Sequence, residues 1–368
     1  MHLKRLLLRN FRNYKHAEVA FSPSVNWIQG GNGQGKTNLL EALYFLSTGR
    51  SFRTAHLNDL IRHGASFFYI EAHFYKDGID QTIKATYDGQ TRRLQYNETI
   101  YSYFTSLLGI LPTVLYAPDD LCLISGAPSD RRRFLDLHLA QIDPLYVHHL
   151  GRYHKALKQR NVLLRQKKEE SLGAWEQTMA HAAAYLLPKR IEALQNILAP
   201  VARWMHFISS GKEEIKLSYH NSIHWDGKSS LENAIYAQLQ KNRTRDMLLG
   251  STQIGPHRDD IGIELDGKSA KSFSSEGQKR CCAAAIRFAE WERTKETMGF
   301  LPLMSIDDFG IQLDKERNLL LQQHLQHLGQ VFLTSPIAPD ELLPNLPKHI
   351  IQIGPGTTIL NGAGKTRL

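Results

Sequence analysis

The spacing of apolar residues near the N-terminus predicts a strand followed directly by a helix. VNWIQ (25–29) is a compact apolar run that is typical of a buried strand, and glycines follow it. NLLEALYFLST (38–48) then places Leu39, Leu43 and Leu46 at helical spacing, and a glycine ends the predicted helix. The pattern therefore predicts a strand, a glycine-rich turn and a helix in succession.

Further strand patterns occur on both sides of the middle of the chain. Three of them predict an antiparallel meander with a KDG turn after the first, namely FFYIEAHFY (67–75), QTIKATY (81–87) and RRLQYN (92–97). Towards the C-terminus, a helix is predicted over 276–296, and strands are predicted for GIELDG (262–267), LPLMSI (301–306), QVFLT (330–334) and HIIQIG (349–354).

The middle of the chain is polar and helical over residues 131–207. One apolar stripe, with alternating spacings of four and three, is formed by Tyr146, Leu150, Tyr153 and Leu157. Pro188 and Pro200 are expected to separate the later helices. A strand at EIKLSY (214–219) and one helix over 232–250 follow.

These patterns predict an α/β fold that a helical segment interrupts. We assign residues 1–130 and 251–368 to one lobe of nucleotide-binding type. Residues 131–250 form a mainly helical insertion between its two parts.

The cysteines and the lengths of the apolar runs indicate the cellular compartment of the protein. The three cysteines, Cys122, Cys281 and Cys282, lack the spacing of a metal site, which favours a reducing environment. The opening MHLKRLLLRNFRNY has three consecutive leucines before Arg9, too few for a secretory segment. No apolar run approaches the roughly 20 residues of a membrane span. We therefore expect a cytoplasmic protein without a membrane partner.

The charge distribution indicates a polyanionic partner. Lysine and arginine total 45 against 36 aspartates and glutamates, a formal net charge of +9. SDRRRF (129–134) holds three consecutive arginines, and the stretch 151–168 is basic without an acidic residue. Lys155 and Lys158 are about one helical turn apart, so positive charge can form a stripe. The candidate nucleic-acid contacts are Arg131, Arg132, Arg133, Lys155, Lys158 and Arg160.

The chemistry starts at GGNGQGKTNLL (30–40), which matches G-x-x-x-x-G-K-[ST] between a predicted strand and a predicted helix. Glycines let backbone N–H groups surround phosphate oxygens, and the helix directs its positive dipole end at them. Lys36 is placed to reach the β and γ phosphates, and the Thr37 hydroxyl is placed to ligate Mg²⁺. The predicted nucleotide contacts are Gly30, Gly31, Asn32, Gly33, Gln34, Gly35, Lys36 and Thr37.

A second Gly-Lys-Thr occurs in NGAGKTRL (361–368) but fails the pattern. The position that requires glycine is Ile359, and two residues follow Thr366, so no helix can supply a dipole. We interpret this stretch as a tail that binds no nucleotide.

Two carboxylates follow the predicted strand LPLMSI. Asp307 is placed at the strand end, where it can hold Mg²⁺ directly or through water. Asp308 comes next and can orient or deprotonate an attacking water. Upstream, Ser275, Gly277 and Gln278 open the helix predicted at 276, which makes a further anion-binding helix start.

The order of phosphate loop, insertion, S-x-G-Q helix start and D-D strand is that of the ABC-type ATPases, and the chain resembles the RecF family in particular. This family comprises bacterial recombination-mediator ATPases related to SMC proteins. The matching stretches are LRNFRNY (8–14), GGNGQGKTNLLEAL (30–43), GRSFRT (49–54), APDDLCLISGAPSDRRRFLD (117–136), YHKALKQRNVLL (153–164), TQIGPHRDD (252–260), SSEGQKR (274–280) and IDDFGIQLD (306–314).

The resemblance implies an ABC-type ATPase head that uses ATP and Mg²⁺. Arg12 and Asn13 match family residues near the nucleotide. The helix start at Ser275, Gly277 and Gln278 would act in trans, so that ATP produces a homodimer. The dimer would bind single-stranded, gapped or junction DNA. With RecR and RecO it would promote RecA loading at gaps during repair, replication and the SOS response, and slow hydrolysis would act as a release switch.

Several departures from the family pattern favour a weak ATPase. Ile311, Gln312, Leu313 and Asp314 stand where the family usually has Ser-Glu-Leu-Asp, and Glu276 stands where many ABC ATPases have glycine. Thr334 or Ser335 occupies the region of the switch histidine, and Asp308 replaces a longer glutamate. In GPHRDD, the spacing of His257, Asp259 and Asp260 fits no usual transition-metal pattern, so no metal site is predicted there.

Three other functions remain open on sequence. A transporter motor would need a membrane partner and leaves the basic stretches unexplained. A small-molecule P-loop kinase would need a lid and an acceptor pocket. A related ATPase of a defence system would act with a nuclease, and no nuclease domain is recognised in this sequence.

Overall fold

The structure of the chain is a computed structural model, and it describes residues 1–311, 315–354 and 359–361. It divides into two compact units. The first unit contains Met1–Leu121, Arg203–Glu213 and Ser275–Leu368. The second unit contains Cys122–Ala202 and Glu214–Ser274.

The strands are β1 His2–Phe11, β2 Tyr14–Ala20, β3 Val25–Gln29, β4 Phe68–Lys76, β5 Ile79–Tyr87, β6 Arg92–Tyr96, β7 Thr99–Tyr101, β8 Thr113–Tyr116, β9 Ile215–His220, β10 Asp260–Leu265, β11 Lys268–Ser269, β12 Leu303–Ile306, β13 Val331–Ser335, β14 Lys348–Ile353 and β15 Ile359–Asn361. The α-helices are α1 Lys36–Thr48, α2 Leu121–Ser125, α3 Pro128–Ile142, α4 Pro144–Gln166, α5 Leu172–Ile208, α6 Leu231–Lys241, α7 Arg243–Leu249, α8 Ala270–Phe273, α9 Glu276–Met298, α10 Lys315–Leu325 and α11 Pro339–Leu342. Short 3₁₀ helices span Leu57–Leu60, Phe104–Leu107, Pro118–Asp120 and Gln326–Leu328.

The first unit is built around a sheet with the strand order β15-β14-β3-β13-β12-β8. Its pairs are parallel except for β14 with β15. Strands β12 and β13 are buried along their whole length, which explains why their sequences are mostly apolar. Because β13 lies between β3 and β12, the carboxyl ends of these three strands meet at one edge, where ligands of open α/β sheets bind.

A second sheet of the same unit is antiparallel, in the order β2-β1-β4-β5-β6-β7. The predicted meander is confirmed, because β4, β5 and β6 pair in sequence. The KDG turn is confirmed too: Asp77 and Gly78 adopt φ of 53° and 85° in the two-residue connection between β4 and β5. Asparagine, aspartate and glycine tolerate this left-handed backbone better than other residues.

The second unit contains helices α3, α4, α6, α7 and α8, most of α5, and the small antiparallel sheet β11-β10-β9. The predicted stripe on α4 faces its core: Tyr146 and Tyr153 are buried, and Leu150 and Leu157 are half-buried. Strand β10 pairs with β9. This pairing keeps residues up to 274 with the inserted unit, whereas the sequence placed the change at 250.

The compact units therefore change at Leu121 and Ser274 where the predicted lobes changed at 130 and 250, and Arg203–Glu213 belongs with the first unit. The assignment of separate functions to residues 1–130, 131–250 and 251–368 stays a prediction.

Two helix predictions were wrong. Helix α5 continues through both Pro188 and Pro200. An internal proline costs about 3 kcal/mol, and the buried apolar side chains along α5, such as Ala183, Leu186 and Leu187, outweigh that cost. The helix predicted over 232–250 is instead two helices that meet at Asn242, whose side-chain amide donates to the Gln238 carbonyl at 2.8 Å.

Candidate nucleotide-binding site

The loop between β3 and α1 has the geometry of a phosphate cradle. A Cβ on Gly30 would lie 2.5 Å from the carbonyl oxygen of Ile353 on the neighbouring strand β14, so the close approach of these backbones requires glycine. Gly35 caps α1 with φ of 110°, and its carbonyl accepts a 2.9 Å hydrogen bond from the Tyr14 hydroxyl. The loop is thus fixed on both sides before helix α1 begins.

Lys36 is buried and folds back along this loop. Its Nζ donates to the carbonyl oxygens of Gly30 at 2.9 Å and Gly31 at 3.1 Å. The Gln34 side chain accepts the N–H of Gly31 at 2.6 Å. Gly31, Asn32 and Gly33 are exposed, so their backbone is accessible to a ligand. The lysine therefore lies at the place where an anion would be held.

The sequence predicted that Thr37 and Asp307 hold Mg²⁺, and the structure places these two side chains in contact. Thr37 Oγ1 donates to Asp307 Oδ1 at 3.0 Å. Thr334, on the intervening strand β13, donates to the same oxygen at 2.6 Å. Burial raises the pKa of Asp307, and the neighbouring charge of Asp308 acts in the same direction. Hydroxyl and carboxylate oxygens at a helix start are the donors that Mg²⁺ prefers, so the residues present fit that ion.

Asp308 has a left-handed backbone with φ of 53°, and its N–H donates to Thr334 Oγ1 at 2.9 Å. This conformation is rare for residues other than glycine and clusters at functional sites. Asp308 is one of the residues that line the cleft described next. The structure therefore separates the two carboxylates, with Asp307 buried against Thr37 and Asp308 half-exposed.

A cleft of about 1000 Å³ opens in front of the loop. It joins many of the residues predicted from the sequence, namely Arg12, Asn13, Asn32, Gly33, Gly35, Lys36, Thr37 and Asp308. The structure adds lining residues that the sequence reasoning missed, among them Asn38, Arg53 and Asp59. Asn38 Nδ2 donates to Asn13 Oδ1 at 2.7 Å, and Arg53 donates to Asn38 Oδ1 at 2.7 Å.

The predicted helix start at Ser275 is a capping box. The Ser275 hydroxyl accepts the N–H of Gln278 at 3.3 Å, and Gln278 Oε1 accepts the N–H of Ser275 at 2.8 Å. Ser275, Glu276 and Gly277 are exposed, and Glu276 forms an ion pair with Arg280 one turn on. None of the residues 275–278 is among the described residues that line the cleft.

Two of the segments singled out in the sequence lie partly outside the described residues. Ile311 is described and lines the cleft, but Gln312, Leu313 and Asp314 are not described. Of NGAGKTRL, Asn361 ends β15, and residues 362–368 are not described.

The residues predicted to contact nucleic acid differ in their exposure to solvent. Lys155 and Lys158 are exposed on α4, as is Arg133 on α3. Arg132 is half-buried, and its guanidinium donates to the Asp259 carbonyl at 2.6 Å. Arg131 is buried and pairs side-on with Asp260, with Nε–Oδ1 at 2.7 Å and Nη2–Oδ2 at 2.9 Å. Its Nη1 donates to the carbonyls of Leu123 at 3.4 Å and Gly126 at 3.3 Å, so all three nitrogens are held and we correct Arg131 to a structural residue.

Arg160 requires a stronger correction. Its side chain is fully buried, and it donates to Asp246 Oδ2 at 2.7 Å, to the Thr252 hydroxyl at 2.7 Å and to Glu176 Oε1 at 3.0 Å. Arg243 shares Glu176 from the other side. The signal was present in the sequence, since residue 160 continues the four-and-three stripe of α4 and lies on its buried face. Arg160 therefore stabilises the second unit and is not available to DNA.

The GPHRDD segment is also structural. The His257 ring accepts the Tyr153 hydroxyl at 2.7 Å on Nδ1, and its Nε2 donates to the Thr252 carbonyl at 3.0 Å. Burial lowers the pKa of His257 to about 4, so the ring is neutral at pH 7. Within residues 1–311, 315–354 and 359–361, no group of three or more His, Cys, Asp or Glu side chains is arranged to hold a metal ion.

None of the helices that the structure describes combines the length and the apolar character needed to cross a membrane.

Comparison with known proteins identifies the same relatives by sequence and by fold. Residues 2–339 match the family model "RecF/RecN/SMC N terminal domain". The DNA replication and repair protein RecF of Protochlamydia amoebophila is 44% identical over 337 residues, which cover 91% of this chain and 94% of that protein.

Solved structures agree with this. A structure described as the recombination mediator protein RecF with ATP in the RecFOR pathway superposes with a TM-score of 0.88 at 29% identity, covering 98% of this chain and 97% of the other. The Smc head domain of Pyrococcus furiosus superposes with a TM-score of 0.57 at 16% identity, over 98% of this chain and 96% of the other, and shares the fold.

Proposed function

We propose a function for this chain on the premise that it belongs to the RecF family, whose curated relatives are DNA replication and repair proteins. The chain is proposed to be an ATP-dependent switch on DNA. ATP and Mg²⁺ would join two copies, and the dimer would bind single-stranded, gapped or junction DNA. With RecR and RecO in the cytoplasm, it would promote RecA loading at gaps.

One observation supports this proposal: among the described residues, the serine-capped start of α9 does not line the cleft in front of the phosphate loop. The loop at 30–37 and the pair Thr37–Asp307 provide the phosphate and metal side. The exposed, serine-capped start of α9 is proposed to be the remaining element of an ABC-type nucleotide site. Since this element is not among the described residues that line the cleft, we propose that a second copy provides it.

The proposed roles of the chain's own groups follow from their geometry. Lys36 would release the carbonyls of Gly30 and Gly31 and pair with the β and γ phosphates. Thr37 and Asp307 would hold Mg²⁺, which neutralises phosphate charge when bound. One hydroxyl and one carboxylate suffice, since Mg²⁺ usually keeps waters and takes its remaining oxygens from phosphates.

Asp308 is the proposed group that orients the attacking water. It lines the cleft, but its side chain is one methylene shorter than the glutamate of transporter-type relatives. Its reach towards the γ phosphate is therefore shorter, which supports slow turnover and the use of ATP mainly as a switch.

The proposed DNA surface includes Lys155 and Lys158 on α4, together with the exposed Arg152, Arg165, Lys167 and Lys168. These six cations lie on one helix and its C-terminal end, and phosphate contacts of this kind provide affinity without base specificity.

The test measures binding of the full chain to gapped and blunt duplexes, with and without ATP, for the wild type and Lys36→Met. We expect ATP to increase the wild-type mass in light scattering to that of a dimer and to increase affinity for gapped DNA, with both effects absent in Lys36→Met. A wild-type mass that stays at the monomer value with Mg²⁺ and ATP, at protein concentrations well above the DNA dissociation constant, contradicts the proposal.

A further inference from the structure

A buried carboxylate stands behind the wall of the cleft and has no part in the functions described so far. Glu41 lies on α1, five residues after Lys36, and its side chain is fully buried. We propose that Glu41 is a positioning residue, which fixes Arg12 and the loop 51–54 in the arrangement that receives ATP. This inference rests on the proposed binding of nucleotide in the cleft.

The first contact is a side-on ion pair with Arg12. Arg12 Nε lies 2.8 Å from Glu41 Oε2, and Nη2 lies 2.6 Å from Oε1. The third nitrogen, Nη1, donates to the Asp59 carbonyl at 2.9 Å. Two parallel bonds fix the plane of the guanidinium as well as its position.

Arg12 keeps binding capacity after these contacts. A guanidinium has five N–H groups, and the three hydrogen bonds to Glu41 and Asp59 use three of them. Arg12 lines the cleft. The backbone at Arg12 is left-handed, with φ of 53°, which is costly for this residue type. A strained backbone and a bidentate anchor together direct a positive charge into the cleft.

The second contact reaches the loop that follows α1. The Ser51 hydroxyl donates to Glu41 Oε1, and it accepts the backbone N–H groups of Arg53 at 2.9 Å and Thr54 at 3.0 Å. One hydroxyl therefore ties the backbone of the loop to the carboxylate. Arg53 Nη1 also lies 3.7 Å from Glu41 Oε2.

A chain of hydrogen bonds connects Arg53 to the phosphate loop. Arg53 donates to Asn38 at 2.7 Å, Asn38 donates to Asn13 at 2.7 Å, and Asn13 donates to the Gly33 carbonyl at 3.4 Å. Glu41 thus anchors two of the segments that surround the nucleotide, from a helix that begins at the phosphates. A buried charge of this kind destabilises the fold if its partners are lost.

The experiment compares binding of a non-hydrolysable ATP analogue to the full chain by calorimetry. In Glu41→Gln, the side chain is neutral and has one oxygen, so it cannot accept both hydrogen bonds from the Arg12 guanidinium. We expect affinity to fall by about tenfold, the equivalent of one charge-assisted hydrogen bond. In an Arg12→Met background, the same substitution should cost clearly less than tenfold, because the Arg12 contact is already gone and only the contact of Glu41 with the loop 51–54 is left to lose.

A matched control separates positioning from general stability. Glu290 is another buried carboxylate of the same unit, paired with Arg287 at 2.8 Å. Glu290→Gln should lower the unfolding temperature and leave affinity for the analogue unchanged. If Glu41→Gln binds the analogue like the wild type, or if its effect adds fully to that of Arg12→Met, the inference is overturned.

Two further measurements decide the remaining cases. Amide exchange without nucleotide should become faster at Arg53 and Thr54 in Glu41→Gln, and unchanged exchange argues against the inference. If Glu41→Gln does not fold, Ser51→Ala replaces it. This substitution removes the hydrogen bond to Glu41 and the acceptor for Arg53 and Thr54 but leaves Arg12 paired, so we expect a smaller loss of affinity, about threefold, and no loss overturns the inference. Failure of the proposed function is distinct, because the wild type itself would then bind no analogue, or Lys36→Met would bind it equally well.

Discussion

The hydroxyl of Thr334 joins the two acidic positions at the end of β12: it donates to Asp307 Oδ1 at 2.6 Å and accepts the N–H of Asp308 at 2.9 Å. A hydroxyl has one proton to donate. The Thr334 proton therefore points at the Asp307 carboxylate. The same hydroxyl contacts the Asp307 side chain and the left-handed backbone of Asp308. Strand β13 places this hydroxyl between the phosphate loop and the metal side of the site.

Thr334→Val is expected to weaken Mg²⁺-dependent binding of ATP more than binding in the presence of a chelator. Valine keeps the shape but leaves the half-buried N–H of Asp308 without the Thr334 acceptor, and it removes a hydrogen bond that favours the charged form of Asp307. A cost of about 1–3 kcal/mol in unfolding free energy should accompany this loss. Calorimetry with and without Mg²⁺ measures the difference, and Thr334→Ser should restore binding. Equal losses in both conditions would mean that Thr334 acts on stability alone.

Mixing two inactive variants tests whether Ser275 acts on the partner's nucleotide. Lys36→Met and Ser275→Arg should each stay monomeric with ATP. If the site is shared between copies, a mixed dimer has one intact composite site and one doubly damaged site. We therefore expect the mixture to form dimers in light scattering, and a mixture that remains monomeric contradicts action in trans.

Replacing Lys155 and Lys158 by alanine is expected to lower affinity for gapped DNA and its dependence on salt. If each lysine neutralises one phosphate, the magnitude of the slope of log affinity against log salt should fall by about 1.8 per copy, or about 3.6 for the proposed dimer. A fluorescence anisotropy titration at several salt concentrations measures the slope. The matched control replaces Lys216 and Lys228, exposed lysines of the same unit that pair with Glu214 and Asp226. An identical reduction in the control would attribute the effect to net charge.

Arg160→Met is expected to destabilise the second unit by about 3–5 kcal/mol, because it leaves the buried carboxylates Glu176 and Asp246 without their common cation. Denaturant unfolding followed by circular dichroism measures this loss. The neighbouring Lys158→Met should unfold like the wild type. A stable Arg160→Met protein with weakened DNA binding would instead return Arg160 to the DNA contacts.

The stability of the protein is expected to fall below pH 6.5 because of His257. The unfolded histidine binds a proton near pH 6.5, whereas the folded one has a pKa of about 4. Between these values the unfolded state binds more protons, so the free energy of unfolding rises with pH. From pH 7.5 to 5.0 this residue should account for about 2 kcal/mol of lost stability. Urea unfolding of the wild type and His257→Gln at both pH values should show the smaller pH dependence in the variant.

Local patterns were enough to predict the loop, its strand and its helix, since Gly30 to Thr37 are contiguous and their chemistry depends on neighbours in sequence. Asp307 was predictable for the same reason, as a carboxylate at a strand end. Thr334 was noticed only as a departure from the family, because its partner lies 27 residues away and depends on the strand order. Glu41 was hidden in an apolar helix, and nothing in its spacing identifies Arg12 as its partner.

The error at Arg160 has a different origin. Counting charges along 151–168 treated each cation as exposed, although the period of α4 assigned residue 160 to the buried face. Helical phase separates Lys155 and Lys158 from Arg160, while charge alone does not. The same reasoning applies to Pro188 and Pro200, where local preference yields to the packing of a long helix.

In the structure, the Lys36 ammonium already has two hydrogen-bond acceptors with which a nucleotide must compete. These acceptors are the carbonyl dipoles of Gly30 and Gly31. Nucleotide entry is then an exchange reaction, in which phosphate oxygens displace two backbone acceptors of the same lysine. An exchange of this kind discriminates by charge density: a triphosphate competes well with two neutral carbonyls, and a neutral nucleoside does not. Uncharged metabolites would therefore bind poorly at this site, and no closing segment is required for this discrimination.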